Sequence, residues 1–393
     1  MRVCAVICEY NPFHLGHAYH LRAAREASGA DYILCLMSGA LTQRGAFARH
    51  DKWLRARAAL ENGADVVLEL PTRFACAPAP DFAGGGVALL TALGVVTHLS
   101  FGCEPSALPL LASAASLFKA ESPAFSAALR ARLAEGLPYP RARALAAEQA
   151  ENLPADLLAQ PNAALALEYL QALPDTVVPV PVARRGSGYH DASLSALSSA
   201  TAVRAALARG DLPDALSAVP LPEALRAAEE SGFVHEEEAL TQALLYRLRT
   251  ARPDELAALY GMDEGLENRF LFAARTCSSR ETLLDAVKTR RYTRARLSRL
   301  CAYTLLNLTR DFADANRTPD YARVLGFRKS AAPLLKAVKQ RSAIPLITKA
   351  ADFDRNRKNF ALDVLAQDLW SLGVSNPSLR TSGRDFTTSP VIL

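Results

Sequence analysis

A chain of 393 residues is too long for one small core, and its length sets an expectation of two or three domains. Half of the residues are hydrophobic and 22% are charged, which excludes a disordered chain, and no stretch reaches the roughly 18 apolar residues of a membrane span. The net charge of +5 is modest, so any nucleic-acid role must rest on where the basic residues lie.

The first element is the apolar run Val3–Cys8, followed by a helical pattern from about 17 to 27. Tyr32–Met37, a helical segment over 52–62, Asp65–Leu70, a helix over 82–93 and Thr97–Gly102 continue the alternation. Short apolar runs alternating with helical ones are the signature of βαβ units and a buried parallel sheet. An Ala-rich helical insertion covers about 107–172, and Thr176–Ala183 supplies one more strand. Pro179 and Pro181 place that strand at an edge or make it irregular. The glycines 84–86 follow no strand and sit inside a helical pattern, which predicts close packing rather than phosphate binding. From 206 to 393 the periodicity is helical with charges on one side, and a second, helical domain is expected there.

Seven cysteines (Cys4, Cys8, Cys35, Cys76, Cys103, Cys277 and Cys301) include no CxxC pair, which reads as free thiols in a reducing cytoplasm. The apolar run at the N-terminus breaks at Glu9 without a preceding basic region, so no signal peptide is expected.

The stretch ICEYNPFHLGHAYH carries the densest chemistry. A strand ending at Cys8, a turn with Pro12 and a helix opening near Gly16 put His14 and His17 at the carboxyl end of a strand, where open parallel sheets bind ligands. A helix start presents free N–H groups to anions, Gly16 lets a ligand lie against the backbone, and imidazoles can donate to phosphate oxygens. Metal ligation would need a third convergent ligand, and His14, His17 and His20 have no HExxH or nearby Cys or Asp pair. Packing is the remaining alternative, and for His20 it competes evenly. Farther on, LSSATAVR (Leu197–Arg204) sets Ser198, Ser199 and Thr201 at a helix start with Arg204 one turn on, a pattern suited to pyrophosphate or to a plain N-cap.

HLGH after a first strand, paired with LSSATAVR, resembles the HxGH and SSTxIR signatures of the nucleotidyltransferases. EYNPFHLGH, MSGALTQRGAFARHDKW, GADVVLELP, FGCE, PNAALALEYLQAL and RRGSGYHD, in that order, are similar to the bacterial tRNA(Met) cytidine acetate ligases, with a weaker likeness through KTRRYTRARLSRL and YARVLGF. The resemblance implies an HxGH-type, Rossmann-like α/β domain over 1–205 and a helical, tRNA-facing domain over 206–393. It implies an ATP-dependent ligase that makes acetyl-adenylate and acetylates the wobble cytidine of elongator tRNA(Met), with Mg2+ accompanying ATP. His14, His17, Ser198, Ser199 and Thr201 would be catalytic. ATP would lie against Ile7, Glu9, Tyr10, Asn11, Pro12, Phe13, His14, Gly16, His17, His20, Gly102, Asn162, Arg184 and Arg185. Where the family has SGNFxQRG this chain has Ala40, which lacks an amide, and FGSE reads FGCE at Cys103.

For RNA, Lys288, Arg290, Arg291, Arg294, Arg296 and Arg299 form a basic stretch with no acidic residue among them. Such a stretch can follow an RNA backbone while Tyr292 stacks on an unpaired base. Arg44, Asp51 and Lys52 either reach the same crevice as the histidines or are solvated loop residues. Two alternatives to the ligase remain: a small-molecule nucleotidyltransferase that never touches RNA, and a non-catalytic, ATP-responsive RNA-binding protein.

Overall fold

The computed structural model describes residues 1–158, 160–183, 199–354 and 357–393. Seven strands run in the order β5-β4-β1-β2-β3-β6-β7: β1 (Val3–Cys8), β2 (Tyr32–Ser38), β3 (Val66–Leu70), β4 (His98–Gly102), β5 (Val178–Val182), β6 (Ala322–Phe327) and β7 (Leu346–Ile347). A short β8 (Val391–Ile392) pairs with β6. Every pairing is parallel except that of β3 with β6.

Both faces of this sheet are covered, which is why its strands read as mostly apolar runs rather than as alternating ones. Val3 and Ala5 face one core with Leu34 and Leu36, while Cys4 and Val6 face another with Ile33 and Cys35. Helices α1 (Leu15–Ser28) and α2 (Lys52–Glu61) belong to the second face. The short α3 (Thr72–Ala75), α4 (Ala79–Ala92) and the helical insertion, whose helices span 108–172, cover the first. In α4, Gly85 lies flat on Phe74 and a Cβ at Gly86 would come within 2.7 Å of Ile7 Cδ1, so these glycines serve close packing. On β5, Val178 donates to Thr97 O (2.9 Å) and Val182 accepts from Cys103, so Pro179 and Pro181 turn to the unpaired edge, where a missing N–H costs nothing.

Part of the span 206–393, expected as a helical domain, is strand. Most of it is helical, around a core of Leu244, Phe270, Leu300 and Trp370. Residues 322–327, however, return to the sheet as β6, antiparallel to β3, with Glu69 opposite Arg323. Ala322, Val324 and Leu325 are buried on the two faces, and a short segment with Val, Leu and Phe is favoured as a strand once a sheet edge is available, its Arg323 meeting Glu69 and Asp385. All seven cysteines are free thiols, six of them buried, and burial pushes Cys76 and Cys301 up to about 12. Among the described residues no helix is long and apolar enough to cross a membrane.

Candidate active site

The chain runs β1, β2, β3 in one direction across the sheet, then returns to place β4 on the other side of β1. The carboxyl ends of β1 and β4 therefore flank a topological switch point, the crevice in which open parallel sheets bind ligands. Residues 9–17 emerge from β1 into this position, and Gly102 ends β4 beside them.

His14 is the N-cap of α1, in extended backbone conformation. Its Nδ1 accepts the Gly16 N–H (3.1 Å), while its own N–H donates to His17 Nδ1 (3.2 Å). This is a capping box built from two histidines instead of Ser and Glu. Because each Nδ1 is an acceptor, both rings are fixed as the tautomer that carries its proton on Nε2. The ring centroids lie 3.7 Å apart with their planes tilted by 32°, which brings the two imidazoles together at the positive end of a helix. Gly16 is required here, because a Cβ would sit 2.8 Å from the His14 ring. His20, one turn further, shares a hydrogen bond with Ser100 on β4 (3.0 Å), tying α1 across the switch point.

The second motif arrives at the same loop. Ser199 caps the helix Ala200–Ala208 by accepting the Ala202 N–H (3.2 Å), and Arg204 donates to Asn11 O and to Thr201 Oγ1 (3.3 Å). Arg204 thus fastens the motif to the backbone that precedes His14. Asn11 also accepts the Arg49 N–H through Oδ1 (3.0 Å).

Other expected nucleotide residues divide by burial. Tyr10 and Phe13 are each 3% exposed and pack on one another and on His17, with ring centroids 4.8 and 5.6 Å from the His17 ring. Their side chains support the imidazole from behind. Asn11 and Pro12 are buried as well. Ile7 and Glu9 are half-buried, as is Gly102, and Asn162 is exposed near the start of the helix Pro161–Ala172. Ser198, Arg184 and Arg185 lie outside the described residues. Ala40 is buried against the helical core, its carbonyl accepting from Ala48 (2.8 Å), so its methyl packs inside the protein.

Sequence reading missed how the charged residues of 43–55 are used. Lys52 neither reaches the crevice nor meets solvent: it is 1% exposed and donates to Glu69 (2.7 Å) and Asp385 (2.7 Å), and Arg323 joins the same two carboxylates. Asp51 caps α2 and pairs with Arg384 (3.1 Å). Arg55 is buried below the site and donates to the carbonyls of Glu9 (2.7 Å), Ser38 (3.0 Å), His50 (3.0 Å) and Gly39. Glu9 accepts the Gln43 N–H (2.6 Å). The available signal was the position of Lys52 and Arg55 on the apolar side of a helical pattern.

The basic stretch is corrected in two places. Tyr292 is 6% exposed and belongs to the helical core, with the Arg296 guanidinium over its ring (5.1 Å), so it cannot stack on an RNA base. Arg299 is buried and donates to Gln43 O (3.2 Å), while Gly45, at φ 80°, lies against its backbone. It joins the two halves of the chain. Of the others, Arg291 meets Glu264 (2.5 Å), Arg294 meets Asp285 (2.7 Å) and Glu281, and Arg296 lies 3.8 Å from Asp263. Lys288 and Arg290 are exposed.

An imidazole-capped helix at the switch point of a parallel sheet defines a nucleotidyl-transfer site, and the family model described as HIGH Nucleotidyl Transferase matches residues 1–385. The tRNA(Met) cytidine acetate ligase of Halothermothrix orenii is 36% identical, with 100% of this chain and 99% of that protein aligned. The one from Acetivibrio thermocellus is 33% identical over 100% of both chains. Thermotoga maritima TmcAL bound with alpha-thio ATP is 30% identical, with a TM-score of 0.91 and 100% of both chains covered; its apo form is 31% identical at 0.93 with the same coverage. The chain belongs to the tRNA(Met) cytidine acetate ligase family.

Proposed function

We propose that the chain activates acetate with ATP and transfers the acetyl group to the N4 amine of the wobble cytidine of elongator tRNA(Met), giving N4-acetylcytidine. The observation that carries this reading is the paired Nε2–H donors of His14 and His17 at the N-terminus of α1, with the second motif fastened to the same loop through Arg204 and Asn11.

A carboxylate becomes an acyl donor when its oxygen gains a phosphate leaving group. An acetate oxygen attacks the α-phosphorus of ATP, the bond to pyrophosphate breaks, and acetyl-adenylate forms. Catalysis of such a step is positioning and charge stabilisation. His14 Nε2 and His17 Nε2, at the positive end of α1, meet the charge that builds on the phosphate oxygens. Ser199 and Thr201, whose motif is tied to the same loop through Arg204, would hold the departing pyrophosphate. The cytidine amine then attacks the acyl carbon, AMP leaves with the carbon–oxygen electron pair, and the amine gives up a proton. Mg2+ would arrive with the triphosphate and neutralise part of its charge.

Incubation with ATP, labelled acetate and elongator tRNA(Met) tests this. The expected result is one N4-acetylcytidine per AMP formed, read by mass spectrometry of the digested RNA. Consumption of ATP with a small acceptor and unmodified RNA would overturn it in favour of a small-molecule nucleotidyltransferase.

A further inference from the structure

With Tyr292 buried, the aromatic side chains offered to solvent in the helical half lie elsewhere. Phe272 and Tyr246 are the most exposed large hydrophobic residues among those described, at 73% and 66%. Tyr246 is on the helix Thr241–Thr250 and Phe272 on the helix Leu266–Ala273, and the two helices pack as neighbours. Arg249, one turn from Tyr246 on the same helical face, donates to the carbonyls of Ala274 (2.7 Å) and Cys277 (3.1 Å), which draws that face to the end of the second helix. Arg269 and Arg275 are spaced three residues either side of Phe272, and both are exposed, as is Arg247.

The charge around these aromatics differs from that of the 288–299 stretch. Segments 241–250 and 266–277 hold four arginines and one acidic residue, Glu267, whose carboxylate accepts from Asn268 (2.8 Å). Along 288–299, by contrast, Arg291, Arg294 and Arg296 face Glu264, Asp285, Glu281 and Asp263. An exposed planar ring between arginines suits an unpaired base and its flanking phosphates: the ring stacks on the base and the guanidinium groups pair with the backbone. Two such rings on adjacent helices offer a platform for more than one base.

We propose that the Tyr246–Phe272 face is a docking surface for single-stranded bases and phosphates of the tRNA substrate; this rests on the reading of the chain as a tRNA-modifying enzyme. All the residues concerned are at the surface, so their replacement leaves the core and the ATP site intact.

The test is a titration of the double variant Tyr246→Ser/Phe272→Ser with elongator tRNA(Met) by fluorescence anisotropy, alongside acetate-dependent pyrophosphate exchange without tRNA. The expected result is a Kd at least about tenfold weaker with unchanged exchange. Arg269→Gln/Arg275→Gln should lower the slope of log Kd against log salt by about two, one for each phosphate that is no longer neutralised. An unchanged Kd in the double variant overturns the proposal. So does a weakened Kd accompanied by a change in sedimentation, which would make this face a contact between copies of the chain. Wild-type protein that acetylates tRNA while the variants match it removes the docking surface alone; wild-type protein that leaves tRNA unmodified removes the underlying reading and this surface with it.

Discussion

Residues 9–20 and residues 288–299 each crowd chemistry-bearing side chains into a short stretch, and the fold treats them in opposite ways. In the first, the contacts that orient the two imidazoles of the cap are local: His14 bonds to Gly16 and His17, two and three residues away. In the second they are remote: Arg299 reaches Gln43, Arg291 reaches Glu264, and Tyr292 is enclosed by the helical core. Spacing specifies a helix cap completely, whereas the fate of an arginine or tyrosine depends on what long-range packing brings beside it. Function built on local backbone geometry is therefore readable from a motif, and function inferred from an exposed charge pattern is not.

The contrast can be broken most sharply at His14. Replacement His14→Ala should lower acetate-dependent pyrophosphate exchange by at least about a hundredfold, the scale for losing an aligned donor, while costing only about 1 kcal/mol of stability for the missing cap. A fall in melting temperature that alone accounted for the reduced activity would make the histidine a packing residue. Next in size is Lys52→Met. It leaves Glu69 and Asp385 buried with Arg323 as their remaining cation, and removal of one partner from such a cluster costs about 3–5 kcal/mol. Urea denaturation measures it, and a loss below about 1 kcal/mol would show that the residue is solvated.

The junction between the halves should also respond to acid. Glu229 is half-buried, which raises a carboxyl, but Arg49 (2.6 Å) and His50 (2.9 Å) overcome that and hold it down at about 2. His235 is buried, which disfavours its charged form, and with its Nδ1 on Trp370 O (2.9 Å) it titrates at about 4. A histidine lowered in the folded state costs stability as pH falls below its unfolded value near 6.5, down to about 4. A depressed carboxylate loses its contribution from about 4.5 down to about 2. Melting temperature should accordingly decline in two stages, the first absent in His235→Gln and the second in Glu229→Gln. Smallest is the pair Arg299→Gln and Arg294→Gln. The first breaks a buried hydrogen bond to Gln43 and should cost about 1.5–3 kcal/mol, whereas the second removes an exposed ion pair and should change stability by less than about 1 kcal/mol. Equal effects would erase the distinction between the two ends of that stretch.

Much of the fold was legible for the same reason the cap was. Val3–Cys8, Tyr32–Ser38, Val66–Leu70 and His98–Gly102 are short, mostly apolar runs between helical patterns, and residues of the sheet are buried on both faces. The edge position of β5 followed from Pro179 and Pro181. Strand β6 was not legible, because its neighbour in space is β3, more than 250 residues earlier, and helices surround it in sequence. Within the site, the placing of His14, His17 and Gly16 came from spacing. The packing of Tyr10 and Phe13 behind His17 depends on which face of a turn meets the core, and no periodicity encodes that in a loop; the helical pattern puts Arg55 on the apolar side of α2, but the carbonyls it reaches are set by long-range packing.

Acetate-dependent pyrophosphate exchange into ATP, measured without RNA and repeated with elongator tRNA(Met), tests the central claim most directly. Exchange that requires acetate, and is abolished in His14→Ala, is the predicted result. Bound ATP with no exchange on acetate, in the presence or absence of the tRNA, would contradict it.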